Sequence, residues 1–409
     1  MKEFFKVKTL DEVLALSQGV EPCERETIPI TEAIGRVLAE DIVSDINLPD
    51  FARSTVDGYA VRAASTYGAS ESSPAFLTVK DNVIMGEPPT VSISPGEAAG
   101  ISTGGMLPDG TDSVVMIEHT EAIDDSTIEV YRGVAPGQNV IEIGEDIRKG
   151  EIILDKGLRL RPQELGMLAA LGKETASVYR KPLIGIISTG DEVVSVTETP
   201  KPGQIRDINT YTLLGLIIEA GGIPVPLGIV KDDYHALLNT CTLALERSDM
   251  VLISGGSSVG FRDYTIDVLS TLPDPEILVH GISISPGKPT ILAKSGKKVI
   301  WGLPGHVVSA MIVFKMVVRP FIDRLSGLSS KYEPSLRVPA RLSRNLASAQ
   351  GRTDYVRVQI VEKEDCLWAE PILGKSGLIN TMIKANGLIE IELNTEGLNK
   401  GSPVWVIPM

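Results

Sequence analysis

Three loops rich in glycine and small hydroxyl residues carry most of the chemistry-bearing side chains in the middle of this sequence. They are Ser188-Thr189-Gly190-Asp191-Glu192, Ser254-Gly255-Gly256-Ser257-Ser258-Val259-Gly260 and Gly302-Leu303-Pro304-Gly305-His306. Each directly follows an apolar run of strand-like composition: LIGII, MVLI and VIW. Glycine lets a backbone approach a ligand closely, and successive N–H groups at a helix start can cradle a phosphate or another oxyanion. One such loop is ordinary punctuation between a strand and a helix. Three of them after strands of one parallel sheet would share the edge at which ligands bind. Asp191, Glu192, Asp249 and Asp263 lie in or beside these loops. Hard oxygen ligands suit Mg²⁺ bridging to phosphate, so the fitting chemistry is a metal-assisted reaction at a phosphoanhydride. Taken singly, each acid is more often a helix cap or a solvated charge.

Two other short patterns point elsewhere. Gly256-Ser257-Ser258-Val259-Gly260 matches the nucleophile elbow of a serine hydrolase, with Ser258 as nucleophile. Neither His280 nor His306 has a marked acidic companion to complete a triad. Gly374-Lys375-Ser376 looks like the tail of a P-loop, but Ala369 stands where the first glycine belongs.

The elements that must position the three loops lie within residues 182–325. PLIGIIS, IPVPLGIV, MVLIS and VIWGL read as strands, and TYTLLGLIIEA, DYHALLNTCTLALER and DYTIDVLSTL as helices, followed by a long helix after Gly305. That alternation argues for a parallel sheet covered on both faces. Earlier, Thr9 to Glu12 forms a capping box for a short helix towards Leu16, and a second helix is expected near Thr31, carrying Ile34, Val37 and Leu38. Residues 77–131 hold short β-branched runs between turn residues, the pattern of a small β-domain. A helix is expected over Pro162 to Leu171. After Gly327, LRVPARL, YVRVQIV, LWAEPIL and PVWVIP predict a C-terminal barrel or sandwich.

At 409 residues the chain exceeds one ordinary core and should divide into several domains. The 39 basic and 53 acidic residues give a net charge of −14, which argues against nucleic acid or acidic membrane as partners. An anionic ligand would have to be held by local donors. Val307 to Val318 is too short and too interrupted to span a bilayer, and the N-terminus lacks a signal-peptide core, so the expected location is cytoplasmic. Cys23, Cys241 and Cys366 have no paired spacing and are expected to be buried small hydrophobes.

Read with the N-terminal half, these loops resemble the MoeA family, also found as the E domain of gephyrin. The resemblance begins at Leu48-Pro49-Asp50-Phe51 and runs through Ser54-Thr55-Val56-Asp57-Gly58-Tyr59-Ala60. It continues through Ile101-Ser102-Thr103-Gly104, Leu107 to Met116 and Gly144-Glu145-Asp146-Ile147. The three loops, Pro286-Gly287-Lys288-Pro289, Gly351-Arg352 and Ala385-Asn386-Gly387-Leu388 carry it to the end.

The resemblance implies a multidomain α/β plus β fold. Its parts would be an N-terminal helical segment (1–26), a small linking α+β domain (27–50 and 144–176), a β-rich domain (51–143), a doubly wound MogA-like α/β domain (177–327) and a C-terminal β-barrel (328–409). It implies an elongated homodimer in which the β-rich domain faces the partner's cleft. The implied reaction joins adenylylated molybdopterin and molybdate to give molybdenum cofactor and AMP, assisted by Mg²⁺. An adenylyltransferase would donate the pterin and molybdoenzymes would receive the product. Asp57, Thr103 and Asp146 would line the cleft. Glu192, Asp249 and Asp263 would handle the pyrophosphate or pterin nucleotide, with Glu192 and Asp249 on Mg²⁺. Ser188, Gly190, Asp191, Ser254, Gly255 and Gly256, with Ser258, Pro304 and Gly305, would approach the nucleotide. Lys288, Ser309, Arg352 and Ser376 sit at positions similar to the family's oxyanion-binding groups.

Three departures bear on that reading. Ser285 replaces a cation before the Pro-Gly-Lys-Pro turn, His306-Val307 replaces Asn-Pro, and Ala52-Arg53-Ser54 replaces Asp-Asn-Ser. They leave room for a tungstate-selective paralogue or a relative that binds pterin nucleotide without turnover. An adenylyltransferase on the same α/β module would not need the N-terminal and C-terminal matches.

Overall fold

The computed structural model describes residues 7–255, 264–332, 336–363 and 365–409. They form two compact units, one of Met1–Glu40, Lys156–Ala169 and Lys173–Met409, the other of Asp41–Asp155 and Ala170–Gly172. No helix among the described residues is long and apolar enough to cross a membrane.

The larger unit is built on a six-stranded sheet in the order Ile223–Val230, Leu183–Thr189, Met250–Ser254, Lys298–Leu303, Ile291–Ser295, Pro275–His280. The first four strands are parallel; Ile291–Ser295 pairs antiparallel with both of its neighbours, so Pro275–His280 points the same way as the first four. The parallel reading therefore holds for four strands, while the antiparallel pairing of the last two went unforeseen. Ile291–Ser295 and Lys298–Leu303 are joined by Gly296-Lys297, and Gly296 takes φ +57 for this tight reversal. Ile184 and Ile186 pack with Leu213 and Ile217 of helix Asn209–Glu219, whereas Ile187 packs with Leu237 and Cys241 of helix Tyr234–Arg247. Alternate residues of one strand thus meet opposite helix layers, which is why the run is apolar throughout. The chain leaves Leu183–Thr189 for a strand on one side and then crosses to Met250–Ser254 on the other. The topological switch falls between those two strands, and two of the three loops flank it.

The helix after His306 runs from Val307 to Leu325 with a wide π-type segment over Phe314–Val318. Pro320 follows at the start of the next regular stretch, where its missing N–H and ring bulk disturb the preceding turn. In the same unit, strands Val338–Leu342, Thr353–Lys363, Cys366–Pro371, Gly387–Ile391 and Pro403–Pro408 form a closed five-stranded barrel. Thr353–Lys363 pairs with both Cys366–Pro371 and Gly387–Ile391 and so completes the ring. Ile284–Ser285 adds to this barrel in parallel with Thr353–Asp354, tying an α/β loop to it.

Two expectations fail locally. The helix near Thr31 is a single tight turn, Ile30–Glu32. Gly35 at φ +74 turns the chain, and Val37 and Leu38 then bridge to Arg159 and Val178 as extended residues. Cys23 and Cys241 are buried as expected, but Cys366 is exposed.

The smaller unit is a six-stranded sheet in the order Ser113–Met116, Gly58–Val61, Glu97–Ile101, Ala75–Asn82, Thr127–Val130, Thr120–Asp124. A Cβ at Gly58 would lie 1.9 Å from the Val115 carbonyl oxygen, so only glycine allows the strand to pair here directly after Asp57.

Candidate functional site

The C-terminal ends of the parallel strands open into a cleft of about 1250 Å³, closed on its other side by the barrel. Ser188, Gly190 and Glu192 come from the first loop, Ser254 and Gly255 from the second, and Pro304 and Gly305 from the third. Three loops remote in sequence therefore share one sheet edge. Lys288 enters from the segment before Ile291–Ser295, Ser309 from the first turn of helix Val307–Val313, and Arg352 and Ser376 from the barrel. Eleven of the anticipated residues thus line one space, all within one compact unit.

Backbone demands explain the glycines. Gly255 adopts φ +104, and a Cβ there would stand 2.4 Å from the Thr189 carbonyl oxygen. Asn209, at the start of helix Asn209–Glu219, binds two loops together: its Nδ2 donates to Ser254 Oγ at 2.6 Å and to the Gly305 carbonyl at 2.8 Å. Asp207 is buried and accepts the Thr210 N–H at 3.1 Å, fixing that helix start. Lys288, Arg352, Ser309 and Ser376 bring two cations and two hydroxyls to the cleft. Arg352 is not a free cation, because its Nε lies 3.0 Å from Asp354 Oδ1. Ser376 Oγ is 2.9 Å from His306 Nδ1.

Asp249 does not belong to this site. It precedes strand Met250–Ser254, whereas the cleft lies beyond that strand's far end, about 17 Å away at 3.3 Å per residue. Its carboxylate is clasped by Arg180, Nη1 to Oδ2 at 2.7 Å and Nη2 to Oδ1 at 2.8 Å, and it accepts the Leu183 N–H at 2.7 Å. Burial works to raise its pKa, but Arg180 and the Leu183 amide hold it below the usual carboxylate value. It is an anchor at the sheet's N-terminal edge, and the expectation that it binds Mg²⁺ and acts in catalysis is withdrawn.

Asp232 is a cleft carboxylate that sequence reading missed, as is the buried Asp207. Asp232 follows strand Ile223–Val230, the parallel strand at the sheet's edge, and lines the cleft with Glu192. The rule that selected the other loops would have found it, but its loop, Lys231-Asp232-Asp233, has no glycine to draw attention. Asp191 is not among the lining residues; its Oδ1 accepts the Asp232 N–H at 3.3 Å and so supports that neighbour. Among the described residues no three acidic, histidine or cysteine side chains cluster as a metal site. Two hard carboxylates still suit Mg²⁺, which takes one or two from protein and the rest from phosphate and water. Gly256, Ser258 and Asp263 lie outside the described residues.

Asp57, Thr103 and Asp146 belong to the smaller unit. There the Thr103 N–H and Oγ1 both donate to Asp57 Oδ1, at 2.7 and 3.0 Å. These two bonds hold the exposed Asp57 carboxyl below its ordinary pKa. The Asp146 N–H donates to the Leu48 carbonyl at 3.1 Å, and its side chain is exposed.

Residues 8–172 match the family described as MoeA N-terminal region (domain I and II), residues 185–324 the family described as "Probable molybdopterin binding domain", and residues 339–409 the MoeA C-terminal region (domain IV). The chain is 34% identical to the molybdopterin molybdenumtransferase of Haemophilus influenzae, covering 98% of each. It is 32% identical to the enzyme of that name from Bacillus subtilis, over 94% of this chain and 90% of that one. The crystal structure of a molybdopterin biosynthesis moeA protein from Pyrococcus horikoshii superposes with a TM-score of 0.86 at 33% identity, covering 99% of this chain and 100% of that one.

Proposed function

Because the chain belongs to the MoeA family, whose members act in molybdenum cofactor biosynthesis, we propose that it is a molybdopterin molybdenumtransferase using adenylylated molybdopterin and molybdate. The products are molybdenum cofactor and AMP. The observation that carries this reading is the meeting of Lys288, Ser309, Arg352 and Ser376 with three sheet-edge loops in one cleft. One side offers backbone room and N–H groups for a nucleotide phosphate; the other offers cations and hydroxyls for a tetrahedral dianion.

In this mechanism Gly190 and Gly255 let the loops approach the phosphoanhydride, and Asn209 keeps the second and third loops at fixed separation. Glu192 and Asp232 would hold Mg²⁺, which when bound supplies neutralisation of phosphate charge. Lys288, with Ser309 and Ser376, orients molybdate for capture by the dithiolene as AMP leaves. Asp57, Thr103 and Asp146 act on the cleft of a partner subunit in a homodimer, with the domain division given by the family resemblance. The protein works in the cytoplasm, receiving substrate from an adenylyltransferase and passing product to molybdoenzymes.

A second reading, weak oxyanion capture with pterin nucleotide binding retained, is favoured by two features. Ser285 supplies no charge, and Arg352 shares its charge with Asp354. The experiment is AMP release from adenylylated molybdopterin with Mg²⁺, run with molybdate, with tungstate and with neither, while the product is assayed for metal. Oxyanion-dependent release with metal in the product is expected; tight pterin binding without release would replace the transferase by the binding relative. Asp232→Asn should raise the Mg²⁺ concentration needed for release, and an unchanged requirement would remove Asp232 from that role.

A further inference from the structure

The segment that carries Ser376 and Gly377 to the cleft has no helix or strand of its own, so something must hold it. Behind it stands Arg357, on strand Thr353–Lys363 and only 8% exposed. Its Nη1 donates to Thr381 Oγ1 and its Nη2 to the Gly374 carbonyl, each at 2.7 Å. Thr381 Oγ1 donates in turn to the Leu378 carbonyl at 2.7 Å. In front, the Val308 N–H, in the first turn of the helix that also carries Ser309, donates to the Ser376 carbonyl at 3.1 Å. The segment is therefore gripped at both ends by the barrel and at its middle by the helix start.

Arg357 is a costly residue to bury, and it does not fill the barrel core: it lies on the strand face opposite Val356, Val358 and Ile360, which pack inside the barrel. It forms no ion pair with a carboxylate among the described residues, and its Nε is buried without a partner. Burial pulls its pKa below the ordinary value. A desolvated cation with an unsatisfied donor opposes folding, and an apolar side chain of similar size would avoid that cost. What the guanidinium offers instead is a planar fork that holds two acceptors at a fixed spacing.

We propose that Arg357 is a positioning residue for the oxyanion subsite, setting Ser376 against His306 and the helix start so that Ser376 and Ser309 meet one ligand. The proposal rests on reading the cleft as the molybdate site. It adds a residue that touches neither substrate and is not part of the cleft wall.

The test measures binding of sodium molybdate and of AMP separately by calorimetry, with amide hydrogen exchange over residues 374–381 and at Val308. Arg357→Gln and Thr381→Val should each weaken molybdate binding about tenfold, as loss of an outer supporting partner does. AMP binding should stay unchanged, and the amides of the segment should exchange faster. Arg357→Lys keeps the charge without the fork and should show most of the same loss. Unchanged molybdate affinity, or equal loss for both ligands, would overturn the proposal. If the unsubstituted protein binds no molybdate, the functional reading fails instead. Exchange then decides the clamp, faster exchange upholding it and unchanged exchange removing it. Should Arg357→Gln not fold, Thr381→Val carries the comparison.

Discussion

Arg180 grips Asp249 with both terminal nitrogens, at 2.7 and 2.8 Å, and so fixes the start of the sheet's central strand at the end farthest from the cleft. Asp249→Ala removes the shared acceptor of the two Arg180 terminal nitrogens and the Leu183 N–H, leaving Arg180 held by Glu24 and the Lys181 carbonyl. The expected loss is about 2 kcal/mol of stability, in the range for hydrogen bonds to a charged group. Denaturant unfolding measures it, and AMP release per folded molecule should match the parent.

The same pair sets an acid limit. The native pKa of Asp249 is depressed, so its stabilisation is present above the unfolded carboxylate value and is lost as pH falls through the native one. Unfolding titrations below about pH 4 should be shallower for Asp249→Asn than for the parent. Coincident curves would mean that the pair does not govern acid stability.

Asp57 is held ionised by two donors from Thr103, and its depressed pKa keeps it a carboxylate throughout the neutral range. Asp57→Asn should retain the fold, since the side chain is exposed, and slow AMP release by roughly a hundredfold or more. Unchanged turnover would strike Asp57 from the reacting groups. Thr103→Val should have a smaller effect in the same direction.

Gly255 occupies φ +104, with the Thr189 carbonyl 2.4 Å from where a Cβ would stand. Gly255→Ala should destabilise the fold by about 2 kcal/mol and weaken AMP binding as the loop shifts. Calorimetry and thermal unfolding on the same preparation measure both effects, and a variant equal to the parent in both would show that this backbone conformation is not required.

Ser285 lines the cleft without bringing a charge to it, and Arg352 is already paired. Ser285→Lys should tighten molybdate binding by about tenfold through a charged donor, with a gain that shrinks as salt rises. Weaker binding, or a gain indifferent to salt, would show that the added ammonium does not face the oxyanion.

The sequence by itself determined the strands, the helices behind them and the polar loops after them. Those follow from local periodicity and from glycine's freedom at strand ends, as LIGII before Ser188 and MVLI before Ser254 illustrate. It also carried the family resemblance, because a long ordered set of motifs survives without any knowledge of contacts. What only the tertiary structure decided was what each residue touches. Asp249 and Asp232 are both acids bordering strands, yet one precedes its strand and meets Arg180 while the other follows its strand and meets the cleft. The barrel's part in the site came only through the family resemblance, which named Arg352 and Ser376, and not from periodicity. His306 and Ser376 are far apart in sequence and meet only because the barrel closes against the start of the helix after His306. Periodicity fixes which face a side chain takes; pairing across long separations fixes its neighbours, and the chemistry of a site is set by neighbours.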